Sequence, residues 1–421
     1  MKKQLQLLVK LSLVVAGILF FTGCFKDSCL KTYTIYRPVY KSLSEVRANM
    51  KSFTPENIRQ TGKLFTKGNY IFISEPEKGI HVIDNSNPSN PKNISFIAVP
   101  GNEDLAVRGN YLYADSYSDM VVFDISNPSR ISATKFLNNV FTDRNSYYYY
   151  GGSTNPDSIR VVVDYIAKDT TTSCDIYNSW YGCASCPVTL GFALSTAASK
   201  NNGNGTGGSM ARFALLNSYL YTVGYNTLAS FDVTDASTPS IKNTINLSGS
   251  IETIYPFRDK LFLGSTSGMF VYDVSSPSSP VLAGSLSHVR SCDPIIADGD
   301  FAYVTLRDGT RCGGYTNQLD ILNVTNINSP LLVSSYKMTN PHGLAKDGNW
   351  LFICDGKDGL RIYDNSLPTN ITEIKQIKGM ETYDVIASGG NVLVVATDGL
   401  YQFNYSDIKN IQQVSKLPVG K

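Results

Sequence analysis

Histidine is almost missing from this chain: His81, His288 and His342 are the only three in 421 residues. General acid–base catalysis and zinc binding lean on that side chain, so few such sites are open to it. No G-x-S-x-G elbow, P-loop, H-E-x-x-H pair or dinucleotide fingerprint occurs either. Charge of one sign is also lacking. Thirty-seven Lys and Arg against 35 Asp and Glu leave a net charge of +2, which is no footprint for nucleic acid. Beyond residue 21, no apolar run is long enough to cross a bilayer as a helix. What the chain does have is 26 Tyr and 33 Gly, a composition that favours β-structure.

Residues 109–129, GNYLYADSYSDMVVFDISNPS, hold one supersecondary unit. Gly109-Asn110 reads as a hairpin turn, 111–114 and 120–124 as strands, and Asp124 opens a turn closed by Asn127-Pro128. Gly and Asn tolerate positive φ, and Asp can bond its own backbone, so both turns have a mechanism. The unit recurs as GNYIFISEPEKGIHVIDNSNPSNP from Gly68, DKLFLGSTSGMFVYDVSSPSSP from Asp259 and GNWLFICDGKDGLRIYDNSLP from Gly348. Looser copies lie at 217–239, 299–330 and 390–406. The residue ending the second strand is Asp84, Asp124, Asp232, Asp273, Asn323, Asp364 and Asn404, at steps of 40, 108, 41, 50, 41 and 40. The two long steps are a unit plus an insertion. Repeats of about forty residues with four short strands each describe propeller blades, because no blade buries its faces alone. Seven copies predict an all-β, seven-bladed β-propeller. The repeated acid is read as turn chemistry, a carboxylate accepting backbone N–H groups.

The strings VIDNSNPSNP, FDISNPS, YDVSSPSSP and IYDNSLP resemble the LVIVD repeat. With GNEDLAVRGNYLYADSY, GGSMARF, SCDPIIADGDFAYVTLRDG and NPHGLA, residues 32–417 resemble the LVIVD-repeat β-propeller lipoproteins of Bacteroidetes. The resemblance implies a propeller on a lipid anchor and little chemistry.

At the start, Lys2 and Lys3 precede an apolar run at 11–21 and then Thr22-Gly23-Cys24. A basic start, a short apolar stretch and small residues predict a signal peptide over 1–23. The Cys after Thr-Gly resembles a bacterial lipobox, with Phe21 in place of the usual Leu. Cys24 is therefore the expected lipid attachment point of an outer-membrane lipoprotein of the cell envelope. Residues 25–28 loosely resemble the acidic surface-export signals of Bacteroidetes lipoproteins, and the periplasmic and cell-surface faces both stay open. Residues 24–60 read as tether and lead-in, with a strand at 32–40 and a short helix over 43–50 opened by a Ser42/Glu45 capping box. A strand ahead of the first blade is expected to pair with the last blade and fasten the ring.

The propeller is predicted over 61–137 and 211–417, with the first strand of each blade innermost. The insertion at 138–210 carries seven Tyr, one Trp and three Cys, and its Gly/Asn/Ser tail at 200–209 reads as a flexible linker. Its aromatic side chains suit either a recognition surface or a small core. Asp157-Ser158-Ile159 and Asp169-Thr170-Thr171 resemble Bacteroidetes O-glycosylation sites. A second insertion, 307–317, carries Cys312 and opens on the same face as Cys292. In an exported compartment this predicts a Cys292–Cys312 disulfide, with a metal site using His288 or His342 as the rival. Cys183-Ala184-Ser185-Cys186 lacks the βαβ context of a redox pair, and Cys174 is expected to bridge one of the two. Cys29 and Cys354 stay unassigned. His81 reads as structural, and Asp355-Gly356-Lys357-Asp358-Gly359 as a turn that lacks the remaining ligands of a calcium loop.

Both insertions emerge on one face, which is therefore the expected binding face. Aligning the units on their first hairpin places Gly62, Glu103, Ala211, Glu252, Asp293, His342 and Asp384 at the mouth of the innermost strand. Like charges held together raise each other's pKa values unless a cation or a basic group sits among them. Glu103, Glu252, Asp293 and Asp384, with His342, are thus the expected site for a cation such as calcium or for a positively charged partner group. The competing reading has each acid cap its own blade. The function that follows is a lipid-anchored, non-catalytic propeller that binds or scaffolds an envelope protein or glycan. The alternative is a metal-dependent, lactonase-like propeller hydrolase with its site at the channel mouth.

Overall fold

A computed structural model of the chain describes residues 30–144, 149–150, 155–173, 206–287, 294–308 and 316–420. The second and third strands of each unit carry apolar residues on both faces, and their inner positions are buried on both, as in Tyr70–Glu75 and Gly79–Asp84. A sheet with two apolar faces must be covered twice, and a ring of sheets does this with one kind of contact.

Seven antiparallel meanders form that ring. Their innermost strands are Leu64–Lys67, Leu105–Arg108, Phe213–Leu216, Ile251–Phe257, Ile295–Asp298, Leu344–Asp347 and Thr382–Ser388, in blades 1 to 7. Six blades have four strands, while blade 1 has six, gaining Thr206–Gly207 on its channel edge and Ser52–Phe53 on its outer edge. The chain divides into two compact units, and the propeller is built from described residues of the unit 40–163 and 191–421. The described part of the other unit, residues 30–39 and 164–173, belongs to the paired strands Leu30–Ser42 and Arg160–Ser173. There Thr34 Oγ1 donates to Asp169 Oδ1 at 2.7 Å, and Tyr33, Tyr36, Tyr165 and Ile166 are exposed.

Among the described residues, no strand is exchanged to close the ring. Blades 1 and 7 meet through an apolar cluster that includes Ile71, Ile73, Ile83, Leu393, Val395 and Leu400. Asn85 and Gln402 exchange two amide hydrogen bonds, at 3.1 and 2.7 Å, and the Gly420 N–H donates to Ile58 O at 2.7 Å. The expected pairing of a lead-in strand with the last blade is thus corrected. Ser52 and Phe53 pair with Ile97 and Phe96 of blade 1, and Lys51 bridges to Ser132 of blade 2. The helix Leu43–Ala48 sets this course. Its Ser42/Glu45 capping box is formed, and Leu43, Val46 and Met50 are buried in the cluster that holds the blade 2 core. Part of the first insertion joins the same cluster through Phe141, Ile159 and Val161, with Phe141 stacked on Phe213 at 5.7 Å.

The repeated Asp or Asn does what turn chemistry predicts. In all seven blades its Oδ1 accepts the N–H two residues on, at 2.8–3.0 Å. Each such turn also leans on the blade before it. Tyr113 donates to Ala236 O at 2.8 Å, Tyr221 to Pro277 O at 2.9 Å, and Asn365 to Tyr303 Oη at 2.7 Å. Gly284 of blade 4 must lack a Cβ, which would fall 1.8 Å from Ile327 O in the turn of blade 5.

Because Asn323 and Asn404 serve as well as Asp, the charge is dispensable and the acceptor is not. Asp124→Asn should unfold in urea near the wild-type midpoint, whereas Asp124→Ala should lose about 1 kcal/mol. Equal losses for the two variants would show that the negative charge matters.

Candidate functional site

The first strands begin at one end of the channel, and the residues just ahead of them bring charge together. Asp115, fully buried on the second strand of blade 2, organises this corner. It accepts the N–H groups of Glu103 and Asp104 at 2.7 and 2.9 Å and the Asn102 side-chain amide at 2.8 Å. Its other oxygen takes Arg144 Nη1 at 2.6 Å. Arg144 comes from the 3-10 turn Thr142–Arg144 at the start of the insertion, and it also reaches Glu103 at 3.0 Å. From blade 3, Arg212 holds Glu103 at 2.9 Å, while its backbone N–H donates to Asp104.

Lys63 of blade 1 is buried beside these groups and donates to Met210 O at 3.2 Å. Burial pushes its amine down to about 8, against the opposing pull of Asp104. Burial likewise pushes Asp104 up to about 6, with Lys63 opposing. Glu103 goes the other way: burial would raise it, but Arg144, Arg212 and Lys63 outweigh that and hold it low. Glu252 is raised by burial despite Arg212, Arg307 and Lys63. Arg307 Nη1 lies 3.0 Å from His342 Nε2, and burial followed by that guanidinium holds the imidazole well below its ordinary value. His342 is therefore neutral at pH 7. Asp384 is fully buried within electrostatic reach of Lys63, and Gly343 gives it room, since a Cβ there would sit 2.4 Å from its Oδ1.

Of the expected ring, Glu103, Glu252, His342 and Asp384 thus share one cluster, with Lys63, Arg144, Arg212 and Arg307 set among them. Asp293 lies outside the described residues, as do Cys24, Cys29, Cys174, Cys183, Cys186, Cys292, Cys312 and His288. The hairpin of blade 7 pairs Ser388 with Asn391, as Arg108 pairs with Tyr111 in blade 2. By that register Tyr383 matches Glu103, and Asp384 matches Asp104 one position further in. Sequence reasoning passed over this next position, which carries Lys63, Asp104, Arg212 and Asp384. The same alignment, read one residue later, contains that signal. Arg144 left no such signal, because it belongs to no repeat.

Among the described residues, no group of three or more His, Cys, Asp or Glu side chains is placed to hold a metal ion. His81 bonds Glu75 at 3.0 Å and is fully buried, and Asp355 takes the Thr339 and Asn340 N–H groups and Arg361. Both are explained by local structure. Cys354 is a buried free thiol.

The tail of the insertion also enters this channel. Thr206 and Gly207 pair with Thr66 and Phe65 on the inner edge of blade 1, and Ser209 Oγ accepts the Leu344 N–H of blade 6 at 2.7 Å. Gly207, Gly208, Ser209 and Met210 are buried. Here the linker expected at 200–209 is corrected over its described residues 206–209, which find backbone partners inside the ring.

The LVIVD repeat model matches residues 58–96, 101–135, 262–287 and 342–378, which fall in blades 1, 2, 4 and 6. No curated protein matches the chain in sequence. Among solved structures, the periplasmic gluconolactonase of Pseudomonas aeruginosa is similar over 87% of this chain and 97% of its own, with TM-score 0.53 and 13% identity. A functionally unknown protein from Desulfotomaculum acetoxidans covers 83% and 95%, with TM-score 0.53 and 10% identity. A protein from Lactobacillus plantarum covers 86% and 98%, with TM-score 0.52 and 14% identity. These likenesses are of fold.

The buried pair makes a signed prediction. Lys63 titrates at about 8 in the fold and about 10.4 when unfolded, so stability rises with pH across that window. Asp104 titrates at about 6 in the fold and about 3.9 unfolded, so its ionisation weakens the fold above pH 6 and relief comes as pH falls toward 4. Urea midpoints at pH 5, 7 and 9 should show that Lys63→Met loses the alkaline gain and Asp104→Asn the acid gain. Profiles parallel to wild type would contradict the assignment.

Proposed function

We propose that the chain is a binding or scaffold propeller, held at a bacterial cell envelope by a lipid on Cys24, which recognises an envelope protein or glycan. The observation that carries this reading is the pairing in the channel. Acids from blades 2, 4 and 7 face bases from blades 1, 3 and 5 and from the insertion, so charge is spent on fixing geometry across blades. Rigid partners of this kind hold a recognition face in one geometry. The opposite end supports the same choice. Its hairpin turns are clasped blade to blade, by Lys67 to Gly109 O, Arg108 to Asn217 O, and the Gly389 N–H to Asp347 at 2.7 Å.

The lactonase-like alternative draws on the Pseudomonas aeruginosa enzyme, whose likeness concerns the fold. It would place its site at the channel mouth, and it is tested directly by assaying gluconolactone hydrolysis with calcium and with zinc.

The binding face is tested by shortening the insertion. Phe141 and Arg144 pack into the ring and residues 206–210 lie in the channel, so the cut should replace only residues 174–205 with a short Gly-Ser link. Envelope cross-linking should then capture partners at least tenfold more weakly than the whole chain does, at an unchanged melting temperature. Capture at full strength, or lactone turnover that needs metal, would overturn the proposal.

A further inference from the structure

The segment Thr206–Met210 holds the channel in the manner of a bound peptide. Ring closure does not require it. Other blades are joined by short connections, such as Ala98 to Leu105, Asn246 to Ile251 and Lys337 to Leu344. This segment instead adds a short strand to the inner edge of blade 1, where Thr206 pairs with Thr66 and Gly207 with Phe65, and Thr66 Oγ1 donates to Thr206 O at 3.3 Å. Ser209 Oγ then takes a backbone N–H from blade 6 at 2.7 Å, and Met210 O takes the Lys63 ammonium at 3.2 Å. Main-chain pairing at a sheet edge, with single side-chain anchors at either end, is how folded domains take extended peptides.

We propose that the channel mouth around Lys63 is a binding site for an extended peptide of small residues, and that Thr206–Met210 is its built-in, displaceable occupant. The chemistry of the occupant states the ligand class. Gly207, Gly208 and Ser209 are buried, so side chains stay small and the backbone carries recognition. Displacement bares the edge of Leu64–Lys67 and the Lys63 amine together. The inference deepens the reading of this face as the binding face, and its tests use the chain alone, so they fail or succeed whether or not an envelope partner is captured.

Hydrogen exchange on the unaltered chain comes first. Amides at 206–210 should exchange about a hundredfold faster than those of Tyr70–Glu75, as a separately opening unit does. Exchange only together with the blade would overturn displacement. The second arm uses Thr206→Pro with Ser209→Ala and an amine-reactive ester, read at Lys63 by peptide mapping. Labelling should rise at least tenfold with the melt of the ring retained, and an added peptide copying residues 204–211 should return it to the wild-type level. A folded variant with Lys63 still protected refutes the occupant, and labelling that the peptide does not reverse refutes the site. If the variant does not fold, the exchange experiment decides alone.

Discussion

Every blade here is apolar on both faces, and that constraint governs the rest. The third strand of blade 2, Asp119–Asp124, is buried at every position but its last, with one face toward blade 1 and the other toward blade 3. Such a sheet has no stable existence outside a closed ring. Closure is then the step on which all blades depend, yet among the described residues no shared strand serves it. It relies on branched aliphatic packing between blades 1 and 7 and on the reciprocal amides of Asn85 and Gln402. The lead-in to blade 1 and the exit from blade 7 also meet at this seam, through Ile58 and Gly420.

A ring leaves a channel, and charges in a channel lose their water. Burial alone would push every carboxyl there upward and every amine downward. The outcome at each residue follows from how many opposite charges reach it. Glu103 has two guanidinium contacts and is held below its ordinary pKa, while Asp104 and Glu252 have weaker compensation and are raised. The partners come from different blades, so the pairs act as cross-ring ties as well as solvation. A one-sided ring of acids would repel itself open, which is why bases sit among these.

How far this could be read in advance depends on whether a feature is local. The Asp turn was legible because its cause lies within three residues, as at Asp124 and Ser126. Blade number and strand order followed from the same period. Arg144 and Arg307 were not legible as channel residues, since one precedes the irregular part of an insertion and the other begins a loop. Asp384 was placed one step off because Gly389 and Gly390 offer two equivalent starts for one hairpin. The tail of the insertion shows a different limit. Composition records how freely a segment moves when unfolded, not whether a sheet edge is waiting for it.

The outer rim faces the opposite problem, because the fourth strands of blades 2 to 7 are sheet edges there and only that of blade 1 is partly covered, by Ser52–Phe53. Edges of this kind invite pairing between molecules unless something twists or charges them. Each blade has a register shift between its third and fourth strands at the same place, as between Val82 and Ile83, Val271 and Tyr272, or Gln402 and Phe403. Such bulges bend the edge away from a flat template. Six outer strands also carry a lysine: Lys92, Lys135, Lys242, Lys337, Lys375 and Lys416. Blade 4 does not, since its outer strand VLAGSLS is uncharged and exposes Val281 and Leu282. That strand is the one whose Gly284 lies flush against Ile327 O of blade 5. Where charge is missing, backbone contact with the next blade holds the strand in its bent course, and the missing side chain is what permits the contact.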